Sequence, residues 1–309
     1  MNKAVTDLPI LCVGALTMDT IFEMRELPQG AGKFIPISAV DVAAGMAASQ
    51  SATIARLDGN ASLWASVGDD LNGERMVAQI AAEGVNCSAV RRVTGARSAF
   101  STILVDQKGE RTIVPQYDRA LLSEPETMPA IEGFSMVMCD VRWPAAAAKA
   151  LAVAREAGIP AILDADVAPL ETLERLAPLA SHIVSSEPAA EILTGEVNPA
   201  IAVEKLAARF DSFVAVTAGG QGVFWFDRAS GSVRHCPAPK VIVRDTLAAG
   251  DVFHGAFALG LREGRPMEWI MAFASAAAAI KCSRFGGRNG APNRTETEAM
   301  MADFYGNSL

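Results

Sequence analysis

Val243-Arg244-Asp245-Thr246-Leu247-Ala248-Ala249-Gly250-Asp251-Val252-Phe253-His254-Gly255 decides how this chain is read. A β-branched run, Val241-Ile242-Val243, leads into it. Apolar residues then recur at 252, 253, 256, 257, 259 and 261, with Gly264 at the stop position. The pattern predicts a strand, a tight turn and a helix. Small residues fill the turn, so a ligand can come close to the backbone there. The first N–H groups of the helix, which lack intrahelical acceptors, make an anion site. Asp251 adds a carboxylate beside the place a phosphate would occupy. A phosphate site with a base next to it is what phosphoryl transfer requires. An Asp in a first helical turn also serves as a cap or dipole complement, so the rest of the chain must decide.

Working outward, strands and helices alternate. Strand Ile10–Gly14 precedes helix Ala47–Leu57, strand Leu63–Val67 and helix 74–83. Further on, strands at Met136–Cys139, Ala161–Asp164, His182–Ser185 and Phe213–Thr217 are separated by helices at 145–156, 170–178, 188–193 and 200–209. Strands 222–226 and 233–236 and the helices 250–263 and 267–282 complete the series. This rhythm predicts an α/β fold, a doubly wound, mainly parallel sheet covered on both faces. Two stretches break it: 16–42, with a partly alternating run from Phe34 to Val42, and 99–116, a hairpin about Gln107-Lys108-Gly109. They read as a small β-sheet lid over the carboxyl ends of the parallel strands, within one domain spanning 1–309.

The chain has 309 residues, half of them hydrophobic, and a formal charge of −8 with no Lys/Arg run, which excludes nucleic acid as an expected partner. Five scattered cysteines form no metal or redox motif and point to reduced thiols in the cytoplasm. The apolar run Ile10–Leu16 follows Asp7 and no cleavage site follows it, so it reads as a strand and not a signal peptide. The Ala-rich 272–280 stretch is too short to span a membrane.

Asp245-Thr246, with Ala249-Gly250-Asp251, resembles the C-terminal signature D-T-x-G-A-G-D of the ribokinase-like (PfkB) carbohydrate kinases. Gly14 to Asp19 is similar to that family's first-strand turn, Ala44-Gly45 to its Gly pair and Gly68 to Gly73 to G-x-D-x-x-G. Thr217-Ala218-Gly219-Gly220-Gln221-Gly222 is similar to T-x-G-x-x-G. Asp140-Val141-Arg142-Trp143, Ser185 to Pro188, Asp251 to Ala256 and Lys281 to Arg284 bring the chain nearest to the bacterial 6-deoxy-6-sulfofructose kinases. Three departures stand out. Ala248 replaces a Gly, Ala48 is placed at the Asn of G-G-x-x-x-N, and Ser186 and Ala189 replace an N-x-x-E motif. The metal arrangement is therefore left open.

The resemblance implies ATP and Mg²⁺ as cofactors and a homodimer formed through the lid. It implies Asp251 as general base, with the N–H groups of Ala248, Ala249 and Gly250 around the transferring phosphoryl group. Asp19 and Gly45 are expected at the sugar, with Lys33 and Arg142 on an anionic end. Thr217, Gly219, Gly222 and Thr246 are expected at the nucleotide. Pro115 stands where the sulfofructose enzymes have an Asn, with Gln116 beside it. Sulfofructose phosphorylated at C1 is the expected reaction. A neutral sugar, a sugar acid or a nucleoside is the first alternative, and a binding regulator without catalysis the second.

Overall fold

The computed structural model describes residues 8–306. Its larger sheet is laid down as β1 (Ile10–Gly14), β4 (Ala61–Gly68), β5 (Arg91–Val93), β8 (Met136–Cys139), β9 (Ala161–Ala165), β10 (His182–Ser186), β11 (Phe213–Thr217), β12 (Val223–Asp227) and β13 (Ser232–Cys236). In space the order is β13-β12-β11-β10-β9-β8-β1-β4-β5, parallel from β11 to β5, with β12 and β13 antiparallel at one edge. The direction of travel reverses between β1 and β8. A crevice therefore opens beyond their carboxyl ends, where α/β sheets bind ligands. β1, β4, β8 and β9 are buried along their whole length, as expected of strands covered on both faces.

Nine helices among the described residues pack around this sheet: α1 (Met46–Arg56), α2 (Leu71–Ala82), α3 (Pro144–Glu156), α4 (Leu170–Leu176), α5 (Glu187–Thr194), α6 (Pro199–Arg209), α7 (Ala249–Arg262), α8 (Met267–Cys282) and α9 (Arg294–Tyr305). Two apolar clusters fill the two faces. One joins Ile54, Met76, Phe257 and Phe273 from α1, α2, α7 and α8. The other joins Leu151, Leu173, Leu193 and Leu206 from α3, α4, α5 and α6. Capping sets several helix starts. Asp70 Oδ1 accepts the Gly73 N–H (2.8 Å), so α2 begins three residues before the expected 74. Asn293 and Glu296 form a capping box that starts α9, a helix the apolar pattern did not announce because only Thr297 on it is buried.

A second sheet, in the order β3 (Ser38–Ala44), β2 (Thr17–Glu23), β6 (Phe100–Val105), β7 (Arg111–Gln116), comes from the two stretches that broke the alternation. β6 and β7 form the expected hairpin, whereas β2 and β6 run parallel. Two expectations are corrected. Strand β3 starts at Ser38, not Phe34: ahead of it the Ile37 N–H reaches Glu23 O of β2 (2.7 Å), but no ladder extends over 34–37, and Ile35 is 80% exposed. Val241–Val243 is no strand either. Ile242 is 85% exposed, and the chain between β13 and α7 is an extended loop without a ladder. β-branching favours a strand only where neighbours cover it.

Candidate active site

The crevice is a cleft of about 1050 Å³ running from the small sheet to the loop between β13 and α7. Asp140, fully buried after β8, fixes its centre. Its Oδ2 accepts the N–H groups of Ala15 (2.8 Å) and Ala47 (3.0 Å), and its Oδ1 accepts the Arg142 N–H (2.7 Å). One carboxylate thus ties the β1 turn, the start of α1 and the Arg142 backbone together. Gly45, which caps α1 at φ 98°, could carry no side chain, since a Cβ would lie 2.6 Å from Ala15 O.

At the end under the small sheet, Asp19 on β2 is 7% exposed. Its Oδ1 accepts from Thr17 Oγ1 (2.8 Å) and Ser101 Oγ (2.6 Å), which leaves Oδ2 for a ligand. Burial raises its pKa, and the two hydroxyl donors work against that rise. Ser49, Ile103, Ile113, Pro115, Tyr117 and Arg142 share this part of the cleft. Counted from Ala44-Gly45, the Asn of G-G-x-x-x-N falls on Ser49 and not on Ala48, which is fully buried; Ser49 borders the cleft, and its buried Oγ makes no hydrogen bond within the protein. Arg142 donates through Nη1 to Val167 O (2.8 Å) and through Nη2 to Asp166 Oδ2 (2.6 Å), with a third of its side chain open to the cleft. Lys33 is not brought here. It lies exposed in the chain between β2 and β3, outside the cleft walls. Gln116 also lies outside them, while Trp143 is core, edge-on to Trp64.

At the other end, Asp245 pins the loop from below. Its Oδ1 accepts from Leu247 N (2.8 Å), and its Oδ2 from Gly286 N (3.0 Å), Gly287 N (2.9 Å) and the buried Lys281 Nζ (3.0 Å). Ala248 caps α7 in the left-handed region, φ 63° and ψ 10°. The Ala249 N–H closes a turn onto Thr246 O (3.2 Å), leaving the amides of Ala248 and Gly250 at the open helix end. Thr246 Oγ1 receives a hydrogen bond from Arg111 of β7, a cation over the anion site that the motif reading did not include. Thr217, Gly219 and Gly222 line the wall next to it. Gly222 (φ 98°) is confined to glycine because a Cβ would meet Cys236 O at 2.1 Å.

Asp251 looks into the cleft from the first turn of α7. Burial, then the nearby carboxylate of Asp164, raises its pKa well above the ordinary range, while His254 pulls it down. A carboxylate so placed binds a proton readily once a hydroxyl is brought to it. No three His, Cys, Asp or Glu side chains among the described residues converge on a metal position. The site therefore suits a magnesium ion that arrives on phosphate oxygens and keeps its waters, which is the usual habit of that ion. No helix is long and apolar enough to cross a membrane among the described residues.

Comparison with known proteins agrees with this geometry. The model of the pfkB family carbohydrate kinases matches residues 8–294. The chain is 28% identical to the ribokinase of Bacillus subtilis (strain 168), across 95% of this chain and 99% of that one. It is also 28% identical to an ATP-dependent ribose-1-phosphate kinase of Halopiger xanaduensis, across 96% and 99%. A solved structure of a candidate ribokinase from Agrobacterium tumefaciens superposes with a TM-score of 0.94 at 46% identity, covering 96% of this chain and 98% of that one. The fold, the cleft at the strand reversal and the open helix end have one common account: the chain belongs to the pfkB family of carbohydrate kinases, phosphotransferases that act on a sugar hydroxyl.

Proposed function

We propose that the protein is an ATP- and Mg²⁺-dependent sugar kinase in which Asp251 takes the proton of the attacking hydroxyl. The observation that carries this is the single cleft in which Asp19, Asp251 and the amino end of α7 all open. Asp19 Oδ2 and Ser49 Oγ receive sugar hydroxyls and point one of them at Asp251. The amides of Ala248 and Gly250, with Arg111 above, stabilise charge on the transferring group as preorganised donors. A magnesium ion carried on the triphosphate would supply charge neutralisation at the phosphate oxygens. Thr217, Gly219 and Gly222 line the place of the nucleotide, and Thr246 holds Arg111 over the phosphates. The small sheet acts as a lid. Its edge strand β7 is exposed along its length and is the part of the lid that would meet a second copy of the chain. The cytoplasm is the setting this reading expects.

The substrate reading follows from Arg142. A guanidinium at the sugar end is wasted on a neutral sugar, so we infer an anionic ketose, with 6-deoxy-6-sulfofructose phosphorylated at C1 as the leading case. The fork geometry of Arg suits sulfonate and phosphate alike, and a relative that bears the name ribose-1-phosphate kinase supports an anionic substrate in this fold. A second reading, a neutral pentose, is favoured by the Arg142–Asp166 pair, which already satisfies the cation, and by the position of Lys33 outside the cleft. The test is ADP release from ribose, fructose, fructose 6-phosphate and sulfofructose by wild type and Arg142→Ala. The anion reading expects a loss of kcat/KM worth about 2–5 kcal/mol on the charged sugars alone. A wild-type preference for an uncharged sugar removes it.

A further inference from the structure

Beneath Asp251, His254 and Asp164 are each only 2% exposed. His254 Nδ1 lies 2.8 Å from Gly250 O, and Nε2 lies 3.2 Å from Val184 O and 3.3 Å from Asp164 Oδ1. Carbonyl oxygens only accept, so each ring nitrogen faces an acceptor. A neutral imidazole carries one N–H and cannot serve both sides. With the Nδ1 hydrogen on Gly250 O, a second proton must lie between Nε2 and Asp164. The pair then holds two protons and no net charge, whether written as imidazolium and carboxylate or as imidazole and carboxylic acid. Asp164 Oδ2 is already taken by Gln50 Nε2 at 2.6 Å. Four elements meet on the pair: α7 through Gly250 and His254, β9 through Asp164, β10 through Val184 and α1 through Gln50.

We propose that His254 and Asp164 are positioning residues, a proton-sharing pair that holds the first turn of α7 and keeps the field beneath Asp251 neutral. This rests on the reading of Asp251 as the base. The charged groups facing the pair are Asp251 on α7, Asp140 and Arg142 beyond β8, and Asp166 beyond β9. All but one are acidic. An ionised Asp164 without its partner therefore adds a further anion next to the base and makes Asp251 harder to ionise. Burial raises Asp164 and lowers His254, and sharing one proton accommodates both shifts. The consequence is electrostatic as well as mechanical: loss of the imidazole uncovers a negative charge, and loss of both members does not.

The experiment is the pH dependence of kcat/KM for wild type, His254→Leu, Asp164→Asn and the double variant, with folding checked by thermal melting. His254→Leu is expected to lower kcat about 10- to 100-fold with KM within about 3-fold, and to move the acid limb up by about one pH unit. Adding Asp164→Asn to it returns the limb to the wild-type position while kcat stays low. A limb that does not move in His254→Leu, or that the double variant fails to restore, overturns the proposal. If His254→Leu does not fold, His254→Gln keeps an N–H toward Asp164 but brings no second proton, so its limb should also move up by about one pH unit, and an unshifted limb overturns the pair. Asp251→Asn separates this from the parent reading: a limb that survives in that variant removes Asp251 as the base, whatever the pair does.

Discussion

Replacing Ala248 by Gly should stabilise the protein, and the sign of that change tests the loop geometry. Ala248 holds φ 63° and ψ 10°, and Asp58 is the only other non-glycine residue at positive φ among the described residues. The left-handed region costs an L-residue with a Cβ about 1–2 kcal/mol. Glycine adopts the same angles freely but adds about 0.4–1 kcal/mol of chain entropy to the unfolded state. The difference leaves Ala248→Gly more stable by about 0.5–1 kcal/mol. The backbone amides at the head of α7 stay where they are, so turnover should hold or rise. Urea unfolding reads the stability change through the midpoint at constant slope, and steady-state kinetics with saturating ATP reads turnover. An alanine in ordinary helical or extended backbone would give the opposite sign. A destabilisation of about 0.5 kcal/mol or more, or an inactive variant, would refute the left-handed cap.

Further outcomes follow from the same geometry. Asp19→Ala should raise the sugar KM roughly 10- to 100-fold, the loss of one charge-assisted hydrogen bond with two hydroxyls left unpaired, and should leave nucleotide affinity unchanged in a binding titration. Glu83 should supply acid-labile stability. Burial would raise its pKa, but Arg56 and Arg288 outweigh burial and bring it from 4.5 to about 2. A depressed carboxylate stabilises the fold above its unfolded pKa, here by about 3 kcal/mol, and that share is lost as pH falls from about 4.5 to about 2. Glu83→Gln should accordingly melt earlier at pH 7, with the gap to wild type closing toward pH 2. A gap that stays constant with pH would show that the ion pairs do not carry the effect.

The parallel core was legible because its strands are short apolar runs bounded by glycine, and Ile10–Gly14, Met136–Cys139 and Phe213–Thr217 fall where the pattern puts them. The small sheet was legible only as an interruption, since β2 joins two regions of the core and pairs in parallel with β6, far along the chain. The three-residue strand β5 and the mostly exposed helix α9 left no periodic signal. Motif spacing led to Asp19, Gly45, Thr217 and Asp251, which the fold gathers in one cleft, because those residues sit at strand ends and helix starts where sequence and backbone shape coincide. Arg111 and Asp164 carried no such mark. Each reaches the site through a side chain from a distant segment, and only the tertiary fold supplies that proximity. Lys33 shows the converse: a position next to glycines in sequence says nothing about where an exposed loop points.

The reading of Asp251 is tested most directly by Asp251→Asn, which keeps shape and polarity and removes proton acceptance. Wild type should show an acid limb in kcat/KM above the ordinary carboxylate range, with activity rising as Asp251 ionises, because burial holds its pKa high. The Asn variant should lose about 10²- to 10⁴-fold in kcat, bind ATP with wild-type affinity and lack that limb. A variant that turns over near the wild-type rate, or retains the limb, would place the base elsewhere and contradict the account.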